Sequence, residues 1–103
     1  MTEKIKIRAK VQDGITDIRI LLQHPMENGR FKDERGNIRP EHFIQTFTIT
    51  HKGEQLIEGQ LNTSVAKNPL FAFKAKGIQP GDTLNVHWKD NLGETRQDES
   101  AVT

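Results

Sequence analysis

Apolar and polar residues alternate along most of this chain with a period of two. Ile5, Ile7, Ala9 and Val11 are separated by charged or polar residues. This predicts a strand with one buried face, because successive side chains of an extended chain point to opposite sides. Asp13-Gly14 breaks the pattern, and Ile18, Ile20 and Leu22 resume it with Arg19 on the other face until Pro25, so a second strand ends near His24. In FIQTFTIT, Phe43, Phe47 and Ile49 fall on one face and β-branched threonines on the other, which predicts a third strand. Lys52-Gly53 predicts a tight turn into a short fourth strand over 55–58, where the adjacent Leu56 and Ile57 predict a bulge or a change of partner. Asn68-Pro69 punctuates the chain before LFAFKAKG, in which Phe71, Phe73 and Ala75 share a face. Pro80-Gly81 is the pair favoured at the centre of a type II turn. After it Leu84, Val86 and Trp88 alternate with Asn85, His87 and Lys89, and Asn91-Leu92-Gly93 turns the chain into a last extended segment over 95–102.

About seven short strands and no convincing apolar repeat at 3.6 residues predict an all-β chain and disfavour a helical bundle or a doubly wound α/β fold. The length of 103 residues fits one domain, 1–103, with one modest core. An immunoglobulin-like β-sandwich of antiparallel strands satisfies both. The antibody variety is excluded: the chain has no cysteine for its disulfide, no tyrosine for its corner, and its only tryptophan falls in the penultimate strand.

Composition narrows the function. Fifteen basic and fourteen acidic residues are mixed along the chain, giving a formal charge of +1 and no linear stripe that would neutralise phosphates, so nucleic acid is not an expected partner. The longest apolar run, Leu70-Phe71-Ala72-Phe73, is far short of the roughly 20 residues that cross a bilayer, so no membrane insertion is expected. The N-terminal MTEKIKIRAK lacks the apolar stretch of a secretory signal. Without cysteine there is no thiol catalysis and no thiolate ligand. Ser64 and Ser100 are the only serines and neither lies in a nucleophile elbow, while adjacent acids such as Asp33-Glu34 read as solvated surface, so no catalytic residues are expected.

His24, His42, His51 and His87 are the natural metal ligands, with Met26 as a soft donor for copper. The sequence alone gives them no common focus, and no metal or other cofactor is assigned. HPM at 24–26 and EHFIQTF at 41–47 resemble the His-Pro-Met and Glu-His-aromatic-Ile elements of superoxide reductases, which are also immunoglobulin-like. Two departures weigh against that metal-dependent redox alternative: His24 and His42 lie 18 positions apart, and the late cysteine that ligates the iron in that family is missing.

The 18 residues 24–41 form a loop too long for an ordinary hairpin connection, with Pro25, Gly29, Gly36 and Pro40 as punctuation. Together with NTSVAKNPLFAFKAKG and GDTLNVHWKDNLGE, the segment LLQHPMENGRFKDERGNIRPEHFI resembles the SoxZ family over nearly the whole chain. The resemblance implies a non-catalytic scaffold in bacterial thiosulfate oxidation, forming a heterodimer or higher oligomer with SoxY, whose C-terminal cysteine arm carries the sulfur. It also implies transient contacts with other Sox enzymes, and a periplasmic location reached by export with a signal-bearing partner. Stable partners are held by apolar anchors with a polar rim. Met26, Phe31 and Ile38 are the anchors expected in the loop, with Arg30 and Asp33 in the rim and Asn68, Pro69 and Phe71 beside them.

Overall fold

The computed structural model describes residues 2–103, and among them seven strands form two sheets. They are β1 (Lys6–Gln12), β2 (Ile15–Leu21), β3 (Ile44–His51), β4 (Glu54–Gln60), β5 (Leu70–Lys76), β6 (Thr83–Asp90) and β7 (Thr95–Ala101). One sheet has the order β1-β2-β5 and the other β4-β3-β6-β7, all pairs antiparallel. Compared with a constant-type immunoglobulin domain, the fourth strand pairs with the third instead of the fifth.

The period-two pattern fixes which face is buried. Ile18 and Ile20 of one sheet meet Phe47, Ile49, Leu84, Val86 and Trp88 of the other, and all are at most 2% exposed. Each such aliphatic side chain contributes roughly 1.5–3 kcal/mol through burial. Pro80-Gly81 turns as predicted, with Gly81 at φ 93° and Asp82 N–H donating to the Gln79 carbonyl at 3.0 Å. The β4 strand is longer than 55–58, and its predicted bulge is present: Ile49 pairs with Ile57 and Thr50 with Gln55, leaving Leu56 as the extra residue.

One register differs from the sequence expectation. Ile44 pairs with Asp90 and Thr46 with Lys89, so Gln45 is bulged out of β3. The bulge brings Ile44 onto the inner face with Phe47 and Ile49, fully buried, while Phe43 is only half-buried. Strict alternation from Phe43 fails because the extra residue resets the phase.

The sides of the sandwich are unlike. Beyond β7 the chain crosses to the first sheet, where Thr103 N–H donates to Ala9 O at 3.0 Å and Val11 N–H to Thr103 O at 2.9 Å, closing the β1–β7 side. On the opposite side β4 and β5 are free edges, and half-buried Phe71, Phe73, Leu61 and Val65 line the seam between them. Gly59 of β4 leaves the space taken by the Phe47 ring, which stacks on Phe71 at 5.0 Å.

Candidate functional site

The antiparallel order carries the ends of β2, β4 and β6 and the starts of β3, β5 and β7 to one end of the sandwich. That end holds the long connections. Residues 25–41 form an antiparallel arm: Glu27 and His42 exchange backbone hydrogen bonds at 2.7 and 3.0 Å, and Arg39 N–H donates to Phe31 O at 2.8 Å. The tip closes on Asp33, whose Oδ1 accepts from Arg35 N–H at 2.9 Å and Asn37 N–H at 3.0 Å.

At the root of the arm lies a cluster that sequence reasoning did not assemble. His24, His42 and Asp90 bring donor atoms within 4.8 Å of one another. Asp90 Oδ2 faces His24 Nε2 at 3.1 Å and His42 Nε2 at 2.8 Å, while Oδ1 accepts the Leu92 and Glu94 N–H groups at 3.0 and 2.8 Å. Glu94 Oε1 lies 3.2 Å from His42 Nε2. The His24 ring stands edge-on to Trp88 at 5.1 Å and to His42 at 4.5 Å. Only the termini of three strands had to be recognised as neighbours to find this cluster, and the available signal was Asp90 directly before the Asn-Leu-Gly turn, the place of an Asx-turn aspartate.

Local backbone geometry explains the His-Pro-Met run. His24 and Met26 are buried with exposed Pro25 between them, and the backbone enters the left-handed region at Met26, with φ of 49°. That left-handed conformation costs a bulky residue roughly 1–2 kcal/mol. Burial of Met26 (6% exposed) and the bond from its N–H to His24 Nδ1 at 3.1 Å offset the strain. Asn68 holds the other side of His24: its Oδ1 accepts from His24 N–H and its N–H donates to His24 O, both at 3.0 Å.

These contacts decide the chemistry of the cluster. Since Nδ1 of His24 accepts a backbone N–H, the neutral ring carries its proton on Nε2 and donates it to Asp90. A histidine that ligates a metal through Nε2 almost always donates from Nδ1, the reverse arrangement. Burial pushes the His24 imidazole below its ordinary value of 6.5, against the raising effect of the Asp90 hydrogen bond, and so keeps the ring neutral. Burial alone would raise the Asp90 carboxyl, but the bonds from His24, His42 and Glu94 outweigh it and hold the group below its ordinary range. The cluster is a carboxylate-centred hydrogen-bond hub that ties the arm, β6 and the β6–β7 turn together. The remaining histidines stay apart from it: His51 contacts Asp82 at 2.8 Å, and His87 sits on the outer face of β6.

The expected partner residues fall into distinct environments. Phe31 and Ile38 lie on the arm, each 63% exposed, with Arg30 exposed and Asp33 forming the tip. Met26 does not share that surface. It belongs to the core, and its Sδ lies 3.3 Å from Ile44 N, because it continues the alternation of buried Leu22 and His24 onto the inner face. Pro69 is buried and Asn68, although exposed, serves His24. Phe71 is half-buried at the β4–β5 seam.

Fold and site define the class: an immunoglobulin-like β-sandwich without a thiol, carrying a protruding arm pinned by a buried histidine–aspartate hub. The chain belongs to the SoxZ family, matching the family described as Sulphur oxidation protein SoxZ over residues 5–101. This assigns it a role in sulfur oxidation. Comparison with curated proteins brings no match.

Proposed function

We propose that this chain is the non-catalytic scaffold subunit of a sulfur-carrier complex in thiosulfate oxidation, paired with a SoxY-like subunit whose C-terminal cysteine arm bears the sulfur. The observation that carries the proposal is the absence of any cysteine in a member of a sulfur-oxidation family. Covalent carriage of sulfur needs a thiolate nucleophile, which must therefore come from another chain. The buried ionisable cluster around Asp90 has its carboxylate oxygens engaged in structural bonds, which leaves little acid–base chemistry to assign to it. Export to the periplasm with the signal-bearing partner belongs to the same proposal.

The end that carries the arm suits the permanent partner, because Phe31, Ile38 and Leu92 are exposed there at 63%, 63% and 58%, with Leu70 at the start of β5 exposed at 65%. Arg30 and Asp33 supply the rim, and Phe71 continues the apolar surface at the seam. A stable heterodimer buries about 800 Å² on each side, roughly a tenth of the chain's 6860 Å².

Convergence of His24, His42 and Asp90 favours one other reading, a metal-dependent redox protein, and the tautomer of His24 opposes it. Sedimentation of the chain alone and mixed with a SoxY-like subunit, with metal analysis of the same samples, separates the two. A metal-free heterodimer is expected. A monomer with near-stoichiometric iron or copper, in place of a heterodimer, would refute the proposal.

A further inference from the structure

Charges that are mixed along the sequence are sorted by the fold. Outward positions of the three-stranded sheet form rows across β1, β2 and β5: Lys6–Leu21–Leu70, Arg8–Arg19–Ala72, Lys10–Asp17–Lys74 and Gln12–Ile15–Lys76. This one face carries six of the chain's fifteen basic residues, all exposed, and one of its fourteen acids, so the remainder of the chain is net acidic. A surface depression on it is lined by four cations, Arg8, Lys10, Arg19 and Lys74, with Asp17 and, from the β1–β2 turn, Asp13. The outer face of the other sheet is different, with Thr46, Thr48, Thr50, Asn85 and Gln97 among its positions.

Folding does not account for this arrangement. Arg8 and Arg19 are directly opposite in the register, where like charges destabilise a sheet. The lone Asp17 lies between Lys10 and Lys74 and reaches Arg19 at 3.6 Å, with both of those side chains about half exposed. Among the described residues, no carboxylate lies within ion-pair distance of the other five cations.

We propose that this face docks the acidic surface of an enzyme that the carrier complex meets transiently, an inference that rests on the carrier role above. The cations spread along seven-residue strands, a span of roughly 20 Å, which suits a protein surface better than a small oxyanion. No aromatic residue stands among the outward positions to stack on bases. Exposed Ile15 and Leu70 offer apolar contacts at the margins. Lysine is depleted in the cores of stable interfaces, whereas a one-signed face raises the rate of encounter. The face therefore serves exchange between partners and not the permanent pairing.

The test uses the carrier complex of this chain with its SoxY-like subunit, turning over thiosulfate with the purified enzymes of the system, and compares native protein with Arg8→Glu/Arg19→Glu and with Lys74→Glu. The variants are expected to form the heterodimer normally and to retain the maximal rate. The half-saturating carrier concentration should rise about tenfold at low salt for the double variant, and the difference should shrink as salt is added. An unchanged half-saturation with an intact heterodimer would overturn the docking face and leave the carrier role standing. Loss of the heterodimer in a folded variant would overturn it by assigning the face to the permanent partner. Binding of a short DNA duplex at physiological salt, abolished by the double variant, would overturn it in favour of nucleic acid. If the native chain forms no heterodimer, the carrier role and the docking face fall together.

Discussion

Replacing Asp90 with Asn tests the hydrogen-bond hub directly. The amide retains an oxygen for the Leu92 and Glu94 N–H groups, but presents a donor where Oδ2 met His24 at 3.1 Å and His42 at 2.8 Å. His42 can change tautomer and accept. His24 cannot, because moving its proton to Nδ1 sets it against the Met26 N–H. A hydrogen bond to a charged group contributes about 1.5–3 kcal/mol. Two such bonds are lost, one of them replaced by a buried donor facing a donor and the other partly recovered through His42, so the net cost is about 3 kcal/mol. For a domain of this size that lowers Tm by roughly 15 °C. Thermal unfolding followed by circular dichroism and by fluorescence of Trp88, which sits 5.1 Å from the His24 ring, measures the effect. A Tm within about 3 °C of the native value would refute the tautomer assignment, and with it the argument that the cluster is not arranged for a metal.

Four further outcomes follow from the geometry. The folded His24 ring resists protonation below its ordinary value of 6.5 while the unfolded chain accepts it, so stability is full above that pH and falls as pH drops through it; Asp90, held below 3.8, extends the loss to lower pH. Urea midpoints that are equal at neutral and mildly acidic pH would contradict this. Gly59→Ala drives a methyl into the Phe47 ring and should cost about 1–3 kcal/mol, recovered in part by Phe47→Leu; additive effects in the double variant would refute the contact. Phe31→Asp with Ile38→Asp should leave Tm unchanged and abolish SoxY-like pairing in sedimentation, whereas Met26→Asp should unfold the domain; unaffected pairing would move the interface elsewhere. The docking variants Arg8→Glu/Arg19→Glu should raise the half-saturating carrier concentration as described above.

The strands were legible in the sequence because a half-buried strand writes its environment at every second position, as in Leu84, Val86 and Trp88. Turns were legible where backbone chemistry restricts the choice, as at Pro80-Gly81. Even the Leu56 bulge was readable from two adjacent apolar residues. The Gln45 bulge was not: the adjacent apolar pair Phe43-Ile44 does not say which of the two faces inward, and the phase is fixed only by pairing with β6. Family membership was likewise carried by local runs, HPMENGR and NPLFAFKA among them, and the match over residues 5–101 agrees with it.

What the tertiary structure decided is whatever depends on residues far apart in the chain. The hub joins His24 to Asp90 across 66 positions and His42 to Asp90 across 48, and no local pattern ranks those pairs above any others. Met26 was chemically suited to an exposed anchor, yet it packs into the core against Ile44, 18 positions away. The basic face is the plainest case. Along the chain its cations are interleaved with isoleucines and valines and diluted by acids elsewhere, so charge counted linearly comes close to cancelling. Pairing β1 with β2 and β2 with β5 superposes the outward half of each alternation, because side-chain direction has a period of two and register aligns it from strand to strand. The sequence by itself therefore determined where the strands lie, most of what they bury and which family the chain belongs to, whereas register decided which charges act together and the packing of one sheet on the other brought His24 to Asp90.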